Sequence, residues 1–176
     1  MGRCRQTILA FVISGMAASV VHAADSKIFD DHTVWRDEVD HPVILASRLG
    51  HGMIVMTMAY TNCQRTCPMT FKLLHEIDTR FAAKHTAADF IILSLDPQHD
   101  AREHIKELLG STTSRQSQWH YLRGSAHDTE KMATALEIDA FNLDDHIVHK
   151  FKVWVFDAKG TMLHKFDWNH RDVSVL

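Results

Sequence analysis

The feature that most constrains this fold is the apolar run MIVMTMAY (residues 53–60), which leads directly into TNCQRTCPMT (residues 61–70). An apolar run of this length is typical of a strand covered on both faces of a sheet. From Cys67 onward, apolar residues recur at helical spacing, and Pro68 stands where a first-turn proline is tolerated. These apolar residues are Phe71, Leu74, Ile77 and Phe81. The sequence therefore predicts a buried strand, a loop with two cysteines, and a helix.

Further apolar runs alternate with amphipathic stretches along the chain, without an internal repeat. The order β-α-β-α-β-α-β-β predicts an α/β thioredoxin-like fold, with a central mixed sheet flanked by helices and a C-terminal β-hairpin. The remaining predicted elements are a short strand or hairpin at 40–49, strands at 90–95 and 119–124, helices from Asp100 to Leu109 and after a cap at Asp128, and a hairpin turning at Gly160.

The first 23 residues have the pattern of an export signal. Arg3 and Arg5 precede the apolar run TILAFVISGMAASVV, and Val21-His22-Ala23 forms a small-x-small cleavage pattern. The run is shorter than the roughly 20 residues that a spanning helix needs. We therefore expect a signal peptide at residues 1–23 and a single periplasmic domain at 24–176, with membrane contact only through a client or an uncleaved signal.

The charge of the mature chain argues against nucleic acid as a partner. The formal charge of the whole chain is −3, and removal of Arg3 and Arg5 takes it to −5, since no acidic residue precedes Asp25. The sequence also has no basic stripe.

Cys63 and Cys67 are the only cysteines outside the predicted signal, which would carry Cys4 away. A disulfide between residues four apart closes too short a loop to stabilise a fold, so the pair is expected to be redox-active, metal-binding or both. The start of the following helix is positive, which lowers the pKa of a nearby thiol. Soft thiolates select Cu(I), zinc or iron–sulfur clusters, and two thiolates need further ligands, which histidine can supply.

Two of the histidines, His146 and His149, come just before the predicted hairpin. In thiol reductases of this fold a cis-proline that receives the substrate occupies that place, but this chain has no proline after Pro97. Histidine there favours metal binding over substrate docking.

These features together resemble the Sco/SenC family of copper-binding proteins with a thioredoxin-like fold. The resemblance covers residues 42–166 and consists of three features. YTNCQRTCPMT matches the family's Cys-x-x-x-Cys-Pro motif, and LSLDPQHD matches its Asp-Pro-x-x-Asp loop. The third feature is a histidine before the last hairpin. For Asp96 and Asp100 in the second motif, we favour roles as a strand-end turn and a helix cap. The family usually ends with a helix after the hairpin, whereas NHRDVSVL leaves room for barely two turns, so a sheet face is expected to be partly uncovered.

The resemblance gives two conflicting cues for the ligand histidine. The family's histidine usually stands eleven residues before the hairpin glycine, which indicates His149, and usually follows Val-Asp, which favours His146 after Asp145. We favour His149, because the sheet fixes the register of the hairpin while a loop dipeptide can drift.

The resemblance implies an exported copper metallochaperone in which Cys63, Cys67 and His149 bind one copper ion, as Cu(I) or Cu(II), once the thiols are reduced. Family members are linked to assembly of the copper centre of cytochrome c oxidase and to copper enzymes of other respiratory chains. The expected partners are therefore a respiratory copper enzyme as client and a protein that reduces the thiols.

An enzyme is the alternative. A thiol-disulfide oxidoreductase would reduce the cysteines of a copper-site client without carrying metal, with Cys63 attacking and Cys67 resolving the mixed disulfide. A peroxide-reducing enzyme is a more distant option, because the same fold hosts that activity.

Overall fold

A computed structural model describes residues 26–29, 32–63, 66–101, 103–105, 109, 117–143 and 146–176. The predicted signal peptide at 1–23 lies outside these residues, as do four positions of the helix predicted from Asp100 to Leu109, in which 103–105 and 109 are helical. Among the helices in the described ranges, none combines the length and apolar character needed to cross a membrane.

The chain forms nine described strands and three described α-helices. The strands are β1 (Trp35–Arg36), β2 (Pro42–Val43), β3 (Met53–Ala59), β4 (Ala88–Ser94), β5 (Ser117–Leu122), β6 (Ala140–Leu143), β7 (His146–His149), β8 (Val153–Phe156) and β9 (Met162–Phe166). The helices are α1 (Ser26–Phe29), α2 (Thr66–Ala83) and α3 (Ala126–Ala135), with 3-10 turns at Leu45–Arg48 and Val173–Val175. The predicted central strand, the helix at the cysteine motif and the C-terminal hairpin are confirmed as β3, α2 and β8–β9.

A five-stranded mixed sheet, in the order β5-β4-β3-β8-β9, forms the centre of the fold. Strands β3, β4 and β5 are parallel, while β8 is antiparallel to β3 and β9 is antiparallel to β8. The predicted fold class is thus confirmed. Because the parallel strands run the same way, their carboxyl ends meet at one edge of the sheet, where β3 leads into the cysteine motif.

The two faces of the sheet bury separate cores, as alternation along a strand requires. On β3, Ile54, Met56 and Met58 face one cluster, while Val55 and Ala59 face the other. The first cluster includes Phe29 of α1 and Met132 of α3, and the second includes Leu74 and Ile77 of α2. Met56 and Met58 are fully buried packing residues.

Helix α3 differs from its prediction at its cap. Its N-cap is Ser125, whose Oγ accepts a hydrogen bond from the backbone N–H of Asp128 at 3.1 Å. The predicted cap, Asp128, therefore lies inside the first turn, where its carboxylate accepts a hydrogen bond from the Ser125 hydroxyl. A carboxylate three residues after a serine cap is also favoured by the positive helix end, which explains the misassignment.

The antiparallel ribbon β6–β7 was not predicted. It is separate from the main sheet and pairs Ala140 with His149 and Leu143 with His146. All four residues of β6 are exposed. The ribbon therefore lacks the buried apolar run that reveals a core strand in a sequence.

The last described residues pack beside α2. Val173 and Leu176 contact the core cluster that includes α2, and Arg80 of that helix donates hydrogen bonds to the main-chain oxygens of Ser174 and Leu176. The short segment after the hairpin thus covers part of the surface that we expected to be open.

Candidate metal centre

The cysteine motif forms a turn followed by a helix. After β3 ends at Ala59, the backbone N–H of Cys63 donates a hydrogen bond to the carbonyl oxygen of Tyr60 at 3.3 Å. Cys63 is half-buried in this turn. Cys67 is the second residue of α2, and its side chain lies outside the described part of the structure. The motif therefore places one cysteine before the helix and the other in its first turn.

His149 lies against Cys63. The Cys63 Sγ and the His149 Nε2 atoms are 3.9 Å apart, although the residues are 86 positions apart in the chain. His149 is the last residue of β7 and is only 8% exposed. The ribbon and the end of the central strand thus bring a thiol and an imidazole together.

A backbone contact fixes the orientation of the His149 ring. Its Nδ1 lies 3.2 Å from the carbonyl oxygen of Lys150. Because a carbonyl can only accept, this contact favours the tautomer with the proton on Nδ1, in which Nε2 presents its lone pair toward Cys63. Metal-binding histidines commonly have their other nitrogen held in this way.

Tyr60 packs against the same imidazole. The ring centroids of Tyr60 and His149 are 6.0 Å apart with an interplanar angle of 70°, an edge-on arrangement. Tyr60 is itself 6% exposed. The first residue of the cysteine turn therefore forms part of the wall that holds His149.

His146 occupies a different position. It is exposed and lies three residues before His149 on β7, so their side chains point to opposite faces of the ribbon. Three residues along a strand span about 10 Å. The strand thus brings His149, rather than His146, to Cys63.

The donors at this site suit a soft metal ion. A sulfur about 2.3 Å and an imidazole nitrogen about 2.0 Å from one metal are about 3.7 Å apart at a trigonal angle. The distance between Cys63 and His149 is close to this value. Among the described side chains, no three potential ligands form a metal-binding group, and the Cys67 thiol is not one of the side chains described.

The comparison with protein families decides what kind of protein this is. The SCO1/SenC family model matches residues 38–176, which include the cysteine motif, His146 and His149. The chain belongs to the SCO1/SenC family. No curated protein sequence matches it.

Solved structures of SCO1/SenC proteins share its fold. A SCO1/SenC family lipoprotein from Bacillus anthracis is 20% identical to this chain and has a TM-score of 0.68. The match covers 76% of this chain and 81% of the lipoprotein chain. Copper-bound ScoI from Arabidopsis thaliana is 15% identical, with a TM-score of 0.68 and coverages of 79% and 87%. BsSco is a member of the Sco family of cytochrome c oxidase assembly proteins, and a disulfide switch was identified in it. BsSco is 19% identical to this chain, with a TM-score of 0.64, and the match covers 76% of this chain and 80% of BsSco.

A broad groove begins beside the cysteine turn of this SCO1/SenC chain. Its volume is about 1780 Å³, and it runs from Tyr60, Thr61 and Asn62 to α3 and the β6–β7 ribbon. Its lining includes the carboxylates of Asp96, Glu130, Glu137 and Asp139. On the ribbon, Phe141, Leu143 and Val148 are exposed apolar side chains. The cysteine turn therefore borders an open surface with both polar and apolar groups.

The two aspartates of the family's second motif have different surroundings. The Asp96 carbonyl oxygen accepts hydrogen bonds from the N–H groups of His99 and Asp100, as expected for a strand-end turn, and its carboxylate lies 2.7 Å from the His99 Nδ1. The Asp100 carboxylate is buried and contacts Thr61 of the cysteine turn. Sequence reasoning missed this contact, because 39 positions separate the two residues.

Proposed function

We propose that this protein is an exported copper metallochaperone that binds one copper ion through Cys63, Cys67 and His149 and delivers it to a respiratory copper enzyme. The observation that carries the proposal is the approach of the Cys63 sulfur to Nε2 of His149, whose other ring nitrogen faces a carbonyl oxygen. Copper is the cargo here rather than a resident cofactor. The copper centre of cytochrome c oxidase is the proposed destination.

The relatives support each part of this proposal to a different extent. Arabidopsis ScoI binds copper in its structure, and BsSco belongs to a group of cytochrome c oxidase assembly proteins. The lipoprotein from Bacillus anthracis supports an exported, membrane-associated location. A periplasmic location and a signal peptide at residues 1–23 are our own proposals from the sequence.

Two thiolates and one neutral imidazole form a ligand set for Cu(I). Thiolates prefer the soft Cu(I) ion, and imidazole binds copper in either oxidation state. A further ligand or water would accommodate Cu(II). The Lys150 carbonyl and the Tyr60 ring hold His149 in its orientation, so little rotational freedom is lost when the metal binds.

Copper transfer is proposed to proceed by ligand exchange. A thiolate or imidazole of the client approaches through the groove beside Asn62 and displaces Cys63 first, because that residue lies in the turn outside α2. Cys67 and His149 hold the ion until the client's second ligand arrives. A Cys63→Ser variant that delivers copper to a client domain as fast as wild type would rule out this order.

Copper binding by the reduced protein tests the proposed site. We would measure Cu(I) affinity by competition with a chromogenic chelator for wild type, Cys63→Ser, His149→Ala and His146→Ala. Wild type is expected to bind one equivalent, and the loss of either proposed ligand is expected to weaken binding by at least about tenfold. His146→Ala is the matched control and should bind as wild type. Equal losses for the two histidine variants would exclude the proposed ligand set.

A thiol-disulfide oxidoreductase is the second candidate, favoured by the disulfide switch identified in BsSco. In that case Cys63, which lies in the turn before the helix, would attack a client disulfide, and Cys67 would release the client by forming a disulfide with Cys63. The reduction of a client disulfide does not require His149. Full reductase activity in His149→Ala, together with weak copper binding by wild type, would support this candidate over the metallochaperone.

A further inference from the structure

Asp100 is a buried carboxylate with a complete set of donors. It is 4% exposed and follows the turn at the end of β4. Its Oδ1 accepts hydrogen bonds from the Thr61 backbone N–H at 2.7 Å and from the Thr61 hydroxyl at 2.8 Å. Its Oδ2 accepts from the hydroxyls of Ser94 at 2.5 Å and Tyr121 at 2.6 Å. Burial of a carboxylate is costly, and these four donors offset that cost.

These contacts join the ends of three adjacent strands. Ser94 is the last residue of β4, Tyr121 belongs to β5, and Thr61 comes two residues after the end of β3. The Tyr121 hydroxyl also lies 3.0 Å from the carbonyl oxygen of Ala59, the last residue of β3. One carboxylate therefore ties the cysteine turn to the rigid carboxyl edge of the parallel sheet.

Thr61 connects the hydrogen bonds of Asp100 to the candidate metal centre. Thr61 lies between Tyr60, which packs against His149, and the exposed Asn62, which precedes Cys63. The turn is closed by the hydrogen bond from the Cys63 N–H to the Tyr60 carbonyl oxygen. Anchoring Thr61 through both its N–H and its hydroxyl thus fixes the backbone that carries Cys63.

We infer that Asp100 is a positioning residue for copper binding: it holds the turn so that the Cys63 sulfur faces His149. The inference rests on the proposed copper site. Asp100 contacts neither the sulfur nor the imidazole among its described hydrogen bonds, so it acts through Thr61. Groups that orient metal ligands in this way typically change metal affinity by about 10- to 100-fold when they are removed.

The two sides of the carboxylate allow a matched comparison. Thr61→Val and Tyr121→Phe each remove one hydroxyl hydrogen bond to Asp100 with little change of shape. Only the first removes a contact on the cysteine turn. A positioning role predicts that Thr61→Val weakens copper binding by about threefold, in keeping with one lost hydrogen bond, while Tyr121→Phe stays within about twofold of wild type.

Asp37 provides a control for the loss of a buried carboxylate elsewhere. It is 9% exposed, and its Oδ1 accepts hydrogen bonds from the N–H groups of Val39 and His41 in a turn near β1. Asp37→Ala is expected to lower thermal stability and to leave copper affinity within about twofold of wild type. Asp100→Ala is expected to lower copper affinity by at least about tenfold in protein that is still folded.

The experiment combines three measurements on protein purified after export of the full chain. These are Cu(I) affinity by chelator competition, the alkylation rate of Cys63 in the reduced metal-free protein, resolved by peptide mass spectrometry, and thermal unfolding by circular dichroism. Release of the turn in Asp100→Ala should speed Cys63 alkylation by at least about threefold, whereas Asp37→Ala should not. The alkylation rate reports on Cys63 without copper.

Each outcome bears on the inference. A folded Asp100→Ala variant with wild-type copper affinity and wild-type Cys63 alkylation would overturn it. If Asp100→Ala does not fold, the Thr61→Val and Tyr121→Phe pair decides, and equal changes in copper affinity would overturn it. If wild type binds no copper, the proposed function fails, and the alkylation rate alone tests whether Asp100 positions Cys63.

Discussion

His149 illustrates how the role of one residue depends on the strand that carries it. The two cues from the sequence indicated His146 and His149, the first and last residues of HIVH. Residues three positions apart on a strand point to opposite faces. Pairing of His149 with Ala140 turns its ring toward Cys63. The hairpin register, rather than the neighbouring acidic residue, indicated the histidine that lies beside Cys63. The role of Asp100 could not be predicted from the sequence, because its hydrogen-bond partners lie in or just after three different strands.

Tyr60→Leu tests the wall behind His149. Loss of the edge-on ring contact, worth about 0.5–1.5 kcal/mol for an aromatic pair, should weaken Cu(I) binding by roughly 2- to 12-fold. Tyr60→Phe keeps the ring and should bind copper as wild type. Chelator competition on both variants provides the measurement. Wild-type affinity in Tyr60→Leu would show that the contact does not orient the imidazole.

At the scale of elements, long apolar runs were predictable and short ribbons were not. β3 and β4 are largely buried and carry apolar residues on both faces, so their sequences reveal them. β5 has the buried residues Trp119, Tyr121 and Leu122. The β6–β7 ribbon has four residues in each strand and an exposed outer face, and it carries the proposed ligand nonetheless. The chain thus places its histidine on an element that has little hydrophobic signal of its own.

The turn between β8 and β9 offers a test of packing at this scale. Gly160 has φ +81°, and a Cβ added there would lie 2.9 Å from the Phe29 ring of α1, whereas Gly50 has φ +87° with nothing within 4 Å of the added Cβ. Gly50→Ala should cost about 1–2 kcal/mol from backbone strain alone. Gly160→Ala should cost about 1–3 kcal/mol more from overpacking. Denaturant unfolding of both variants checks this, and equal losses would mean that Phe29 does not pack against the turn.

At the scale of the whole molecule, Glu137 links the end of α3 to the hairpin. Its carboxylate accepts hydrogen bonds from Lys152 at 2.9 Å and Lys165 at 3.0 Å. The hydrogen bond from Lys152, followed by that from Lys165, lowers the pKa of Glu137. The side chain is 57% exposed, so solvent screens these interactions and limits their contribution to stability.

Glu137→Gln should make stability less dependent on acid pH. A carboxyl group whose pKa is lower in the folded state stabilises the fold above its unfolded pKa, about 4.3, and loses that effect as the pH falls through the folded value. The variant should therefore melt up to about 4 °C below wild type at pH 7, with the difference closing below about pH 4. Glu130→Gln, which alters an exposed carboxylate of α3, is the control. A constant difference across this range would contradict the linkage.

The proposed copper site is tested by the identities of the atoms bound to copper. X-ray absorption at the copper edge should be measured for the loaded wild-type, His149→Ala and His146→Ala proteins. We predict two sulfur ligands and one imidazole in wild type, loss of the imidazole signal in His149→Ala, and a wild-type spectrum in His146→Ala. A copper environment without sulfur, or an unchanged imidazole signal in His149→Ala, would contradict the proposed site.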